Sequence, residues 1–326
     1  MREVAFIKQN KEKWLAFELA IFGKAKKNPD ELANLYIQMM NDLAYAQTYY
    51  PKSKTVVYLN YLASQIYQKI YKTKRTEKNQ LVHFFSIEVP LLLYEYKRYL
   101  LYAFILFFAT VGIGVVSAKF DQNFVRLILS DAYVNMTLEN IKEGNPVAVY
   151  GSGSNWGSFI GITTNNIYVG ARCYLYGIFA GIGTFFVALQ NGIMLGAFQY
   201  FFYQENVFWQ SVRGIWIHGS MEIFAIVIET AAGFILGASI LFPKTYSRFN
   251  SFKIGFKNSF KIFLSTLPFT FSAGFLEGFI TRYSVDMPIW LSTAIILITL
   301  GCISFYYLIF PQIVHKKLTK AHVSTL

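Results

Sequence analysis

Charge is scarce in this chain. Of its 326 residues only 15% are Asp, Glu, Lys or Arg, against 54% hydrophobic and 18% aromatic, and the mean hydropathy is +0.36. A soluble domain carries about 25% charged residues, so a wholly soluble protein is excluded. Cysteine is rarer still. Cys173 and Cys302 both fall in apolar segments without ligand-like spacing, so two buried free thiols are expected rather than a disulfide. There are four histidines, no HExxH, and no Lys-Ser/Thr after the glycines of Gly151 to Ser158. A zinc-protease motif and a phosphate-binding loop are therefore both missing. No motif implies a cofactor, and the 151–158 stretch reads as a flexible outer loop.

What the sequence does have is length without charge. Tyr99 to Ala118 and Ile289 to Phe310 are runs free of Asp, Glu, Lys and Arg, and each meets the roughly 20 apolar residues that a spanning helix needs. Together with Ile262 to Thr281 they predict an all-α, polytopic membrane bundle. The first 98 residues hold no such run, so no signal peptide is expected at the start. Instead, Ile7, Trp14, Phe17 and Ile21, then Leu32, Leu35, Tyr36, Met39, Leu43 and Ala46, then Leu59, Leu62, Ile66 and Ile70 mark three helical stripes. Residues 1–80 are thus expected to form a three-helix domain. Residues 81–98 are too polar to span and too apolar for a solvated linker. They predict a helix along the membrane interface, with Phe84, Phe85, Leu91, Leu92 and Tyr94 in the headgroup boundary and a kink at Pro90. His83 reads as a surface histidine.

The net charge of +12 is spread beside the apolar runs rather than gathered on one soluble face, which argues against nucleic acid. Residues 1–98 hold 16 Lys and Arg against 9 Asp and Glu, or +7, and Pro243 to Lys261 holds five basic residues and no acid. Both stretches are expected in the cytoplasm, as are the C-terminal residues 311–326. Spans are then predicted at 99–118, 168–190, 193–212, 215–242, 262–281 and 289–310. Alternatively, 168–212 forms a re-entrant hairpin that reverses at Asn191-Gly192, where glycine and asparagine allow positive φ.

The unusual span is Ile215 to Phe242, which carries His218, Glu222 and Glu229. At about 100° per residue these positions share one helix face. An ionisable group at membrane depth costs roughly 2.5 kcal/mol or more, so that face must turn inward. Glu277 and Asn191 are its expected partners. Three roles are open for this cluster: hydrogen-bonded glue between helices, a proton or ion path beside a helix broken at Asn191-Gly192, or part of a metal-dependent intramembrane enzyme site. Small residues such as Ala231, Gly233 and Gly237 could also support a homodimer.

MREVAFIKQNKEKWLAFE at the start, DLAYAQTYYP from Asp42, YLNYLASQIYQKIY from Tyr58, NNIYVG from Asn165, LQNGIMLG from Leu189, HGSMEIFAIVIETAAGFILG from His218 and FLEGFITRY from Phe275 appear in an order that resembles the stage II sporulation protein M family of bacterial and archaeal membrane proteins. His218 and Glu222 match its His-Gly-x-x-Glu element, Asn191 and Gly192 its Asn-Gly element, and Glu277 its acid in a later span. The resemblance implies a multi-pass protein of the cytoplasmic (inner) membrane, with both termini inside. It further implies a scaffold or assembly role in a cell-envelope complex, as in the namesake's support of peptidoglycan remodelling. The resemblance carries no settled chemical role for these residues.

Overall fold

A computed structural model describes residues 1–23, 29–73, 79–121, 123–151 and 153–323, which are helical with no strand among them. They form two compact units, Met1–Gln80 and Leu81–Leu326.

In the first unit α1 (Glu3–Phe22), α2 (Pro29–Tyr49) and α3 (Lys54–Thr73) bury Phe6, Trp14, Phe17, Met39, Leu43, Leu59, Leu62 and Ile66 against one another. Leu32 and Ile70 lie outside the residues whose side chains are described. The polar end of each buried aromatic finds a partner, as buried polar groups must. Trp14 Nε1 donates to Asp42 at 2.9 Å, and the Tyr58 hydroxyl donates to Glu18 at 3.0 Å.

The second unit opens with an elbow. α4 (Gln80–His83) passes through a π turn at Phe84–Glu88 into α5 (Val89–Glu95), and the chain turns at Tyr96 into α6 (Lys97–Phe120). Where a kink was expected at Pro90, the wide turn before it takes up the strain. A proline ring collides with the carbonyl four residues back, here Ser86, which the π turn contains. The same device recurs near the C-terminus. A π turn at Phe305–Ile309 precedes Pro311 between α13 (Ile289–Ser304) and α14 (Phe310–Val323), and its Tyr307 is the fourth residue back. Residues 311–323 are thus helical.

The elbow packs on the bundle. Lys261 donates to Glu88 at 2.6 Å, Tyr306 donates to the Phe85 carbonyl at 3.0 Å, and Tyr94 stacks on His315 with ring centroids 3.8 Å apart. Phe84 and Leu92 rest against the bundle core.

After α6, the short α7 (Phe124–Leu129) and α8 (Asp131–Lys142) lead to α9 (Asn155–Leu175). This corrects the expected loop at 151–158, because the Ser154 side chain caps α9 by accepting from Gly157 N at 3.1 Å and starts it 13 residues before the span predicted at 168. α10 (Ile182–Gln204) and α11 (Phe208–Leu241) follow, then α12 (Arg248–Phe279). α12 begins well before the predicted 262, so most of the basic connector stands on its first turns.

The expected reversal at Asn191-Gly192 is likewise corrected. Both residues lie inside α10. The chain reverses instead at Phe179–Gly181, where Ala180 and Gly181 have φ of 55° and 82°. Gly192 is needed for packing: with Gly196 it lets α10 lie against α6, and a Cβ at either would fall on Thr110 or on the Val111 carbonyl.

Contacts fix the directions. Asn166 meets Glu222 and Cys173 meets Thr230, so α9 runs with α11. Arg213 meets Ser292 and Ser220 meets Thr299, so α13 runs with α11 too. His218 meets Thr281 and Ser251 meets Ser239, so α12 runs against it. α6 and α10 run side by side in register. The six helices α6, α9, α10, α11, α12 and α13 therefore alternate in direction along the described chain, and 168–212 runs from the second half of α9 through the turn at 179–181 and α10 into the start of α11. Among the described residues, five stretches are long and apolar enough to cross a membrane: Lys97–Phe120, Ile182–Gln204, Phe208–Leu241, Arg248–Tyr283 and Ile289–Lys320. α11 sits at the centre, with two-thirds of its apolar window buried. Cys173 is buried as expected, but Cys302 is exposed on α13.

Candidate functional site

His218 and Glu222 stand one turn apart on α11, facing Glu277 near the end of α12. The His218 ring is 3% exposed. Its Nδ1 lies 3.0 Å from the Thr281 hydroxyl, and that hydroxyl donates its single hydrogen to the Leu276 carbonyl at 3.2 Å. Both contacts are met together by the tautomer in which Nδ1 donates to Thr281 and Nε2 keeps its lone pair. Nε2 faces Glu277 Oε2 at 3.7 Å, beyond hydrogen-bond reach. Tyr150, from the short turn before α9, sets its ring edge-on to the imidazole with centroids 5.1 Å apart.

Glu222 is held from α9, where Asn166 donates its side-chain amide to Oε1. One donor atom from each of His218, Glu222 and Glu277 lies within 4.8 Å of the others. These three side chains line an open cavity of about 710 Å3 among α6, α9, α10, α11 and α12, to which Ile128, Leu129 and Tyr133 of α7 and α8 add part of the wall. Asn165, Asn166, Asn191, Tyr133 and Tyr150 add polar groups to its wall, and no lysine or arginine among the described residues lines it.

Not every expected member of the cluster belongs there. Asn191 reaches the cavity wall, but its amide donates to Val187 O of its own helix at 2.8 Å. No hydrogen bond joins it to His218 or Glu222 among the described residues. Glu229 shares the face of α11 yet sits about 10 Å further along. It is 2% exposed, accepts from the Thr266 hydroxyl at 2.8 Å, and fills the gap left by Gly170 of α9. Thr266 stands two residues before Pro268, which lies inside α12. Glu229 is therefore a packing group between α9, α11 and α12.

The family model described as "Stage II sporulation protein M" matches residues 103–282. The chain belongs to the stage II sporulation protein M family. The match runs from α6 through Thr281, so the whole His218, Glu222 and Glu277 cluster lies in the family's part of the chain. A second model, described as a domain of unknown function (DUF8413), matches residues 4–72, the first unit almost entire. No curated protein matches the chain, and no solved structure does.

Thr281, Asn166 and Tyr150 were not singled out from sequence as partners of this cluster. Asn166 and Thr281 are within reach, because they lie in the NNIYVG and FLEGFITRY elements. Tyr150 carries no sequence signal, since a tyrosine near an apolar run is ordinary.

Proposed function

We propose that this family member handles a cation inside the membrane, as an ion-coupled transporter or channel whose binding point is the cavity beside His218. One observation carries the reading. Two carboxyl side chains and an imidazole lone pair converge on one cavity whose described wall holds no lysine or arginine, and such a constellation in a low-dielectric interior calls for a cation from outside. With no ATP-binding motif, coupling would come from an ion gradient or from a partner. The charge balance of residues 1–98 and of the α11–α12 connector supports both termini on the cytoplasmic side of an inner membrane.

The test is flux. The full chain in liposomes should carry cations down an imposed gradient, and Glu222→Gln should abolish the flux while leaving the melting temperature nearly unchanged. Flux absent in the wild type, or equal in the variant, would overturn the proposal.

A second reading, an assembly protein for cell-envelope partners that supports peptidoglycan remodelling, is favoured by the separate core of Met1–Gln80. A compact soluble body attached to a membrane bundle is the part that partners can dock on. Partner recovery from native membranes should fall when residues 1–80 are removed and the bundle is kept.

A further inference from the structure

We infer that His218, Glu222 and Glu277 form a binding site for a divalent first-row transition-metal ion of the zinc, manganese or iron class. The purpose of such a site rests on the cation-handling reading above, but its chemistry stands on geometry of its own.

The first element is an unused donor. His218 is almost wholly buried, its ring is held by Thr281 at Nδ1, and Nε2 faces Glu277 across 3.7 Å, too far for a hydrogen bond between them. A buried ring nitrogen aimed at a carboxyl without a hydrogen bond between them leaves both with donor capacity that a cation placed between them would use. Donor atoms around a common zinc-like ion at 2.0–2.2 Å stand roughly 3.0–3.5 Å apart in octahedral or tetrahedral arrangements. The observed 3.7 Å pair, within a triad that spans no more than 4.8 Å, needs only small side-chain rotations to close on such an ion.

The second element is the outer shell. Metal-bound histidine almost always donates its other ring nitrogen to a fixed acceptor, and the Thr281 hydroxyl, 3.0 Å from Nδ1, is placed to be that acceptor. Asn166 likewise holds Oε1 of Glu222, and the Glu222 and Glu277 carboxyls meet side by side. Charge agrees as well, because two carboxylates and one divalent ion sum to zero, which a low-dielectric interior favours.

Donor type selects the metal class. One imidazole nitrogen with two carboxylate oxygens suits borderline divalent ions, whereas sodium and calcium prefer oxygen alone and Cu(I) prefers sulfur. Cys173 bonds to Thr230 rather than to this cluster. Three protein ligands leave a further position open to the cavity, the pattern of sites where an ion exchanges or binds a small molecule.

The experiment uses the full chain in detergent, stripped with chelator and titrated with Zn2+, and with Co2+ as a visible-absorption probe. Wild type should take up about one ion per chain, with cobalt bands that calcium and sodium do not abolish. His218→Gln and Glu222→Gln should each weaken zinc at least about 100-fold, whereas Glu229→Gln, a buried carboxyl outside the cavity, should not. Should His218→Gln fail to fold, the isosteric Glu222→Gln carries the test with its melting temperature recorded. Zinc uptake no greater in wild type than in the Glu222→Gln variant would overturn the inference, since it would place the metal on surface histidines such as His315. Absence of metal binding together with Glu222-dependent cation flux would sink the metal site and leave the transport reading standing. Metal binding without flux would do the reverse.

Discussion

The ring nitrogen Nδ1 of His218 on α11 is hydrogen-bonded to the hydroxyl of Thr281, 63 positions along the chain and just beyond the end of α12, at 3.0 Å. That bond fixes which ring nitrogen faces the cavity. Replacing Thr281 by valine keeps the shape and removes the acceptor. We expect zinc affinity to fall by about 10- to 100-fold with the fold retained, and Thr281→Ser to restore it. An unchanged titration in Thr281→Val would show that the tautomer is set by something else.

Gly170 and Glu229 form a second pair whose fit is steric. A side chain at 170 would fall on the Glu229 carboxyl, so Gly170→Ala should destabilise the bundle by about 1–3 kcal/mol. In the Glu229→Ala background the same change should cost much less, because the obstructing group is gone. Thermal melts of the four proteins measure the coupling, and simple additivity would contradict it.

At α6 and α10, Gly196→Val should be at least as damaging, since the obstacle is the Val111 carbonyl, a backbone atom that cannot swing aside. By contrast Ala180→Gly, at the true reversal with φ of 55°, should be neutral or stabilising by up to about 1 kcal/mol. Opposite rankings in a melting assay would return the turn to Asn191-Gly192.

The elbow gives a pH dependence. The hydrogen bond from Lys261 holds the Glu88 carboxyl below its ordinary 4.5, against partial burial that pushes it up. A depressed carboxyl stabilises the fold above its unfolded pKa, and the effect is lost as pH falls through the folded value. The difference in stability between wild type and Lys261→Met should therefore be largest above pH 4.5 and shrink on acidification. A difference that grows in acid would refute the assignment.

Topology is checked by labelling. In a background with Cys173 and Cys302 replaced by serine, Lys253→Cys should react with an impermeant maleimide only from the cytoplasmic face. Asp131→Cys on α8 should react only from the other. The reverse pattern would invert the bundle.

Much of this was legible along the chain. Apolar run length declared the membrane bundle, because hydrocarbon leaves few alternatives to a helix of about 20 apolar residues. The stripes of residues 1–80 declared three packed helices, and the 3.6-residue period put His218, Glu222 and Glu229 on one inward face. Helix starts were less legible, since one capping serine at 154 or 247 outweighs a stretch of polar or basic residues.

Three things were decided only in three dimensions. Periodicity gives each helix a face but says nothing of how neighbouring helices are rotated or staggered, so it could not tell that Glu222 meets Asn166 or that His218 meets Thr281. It could not separate Glu229, which lies on the same face but against Gly170 and Thr266. Nor could it tell a glycine that turns the chain from one that lets a neighbour approach, because that depends on whether another backbone is there, as α6 is beside Gly192.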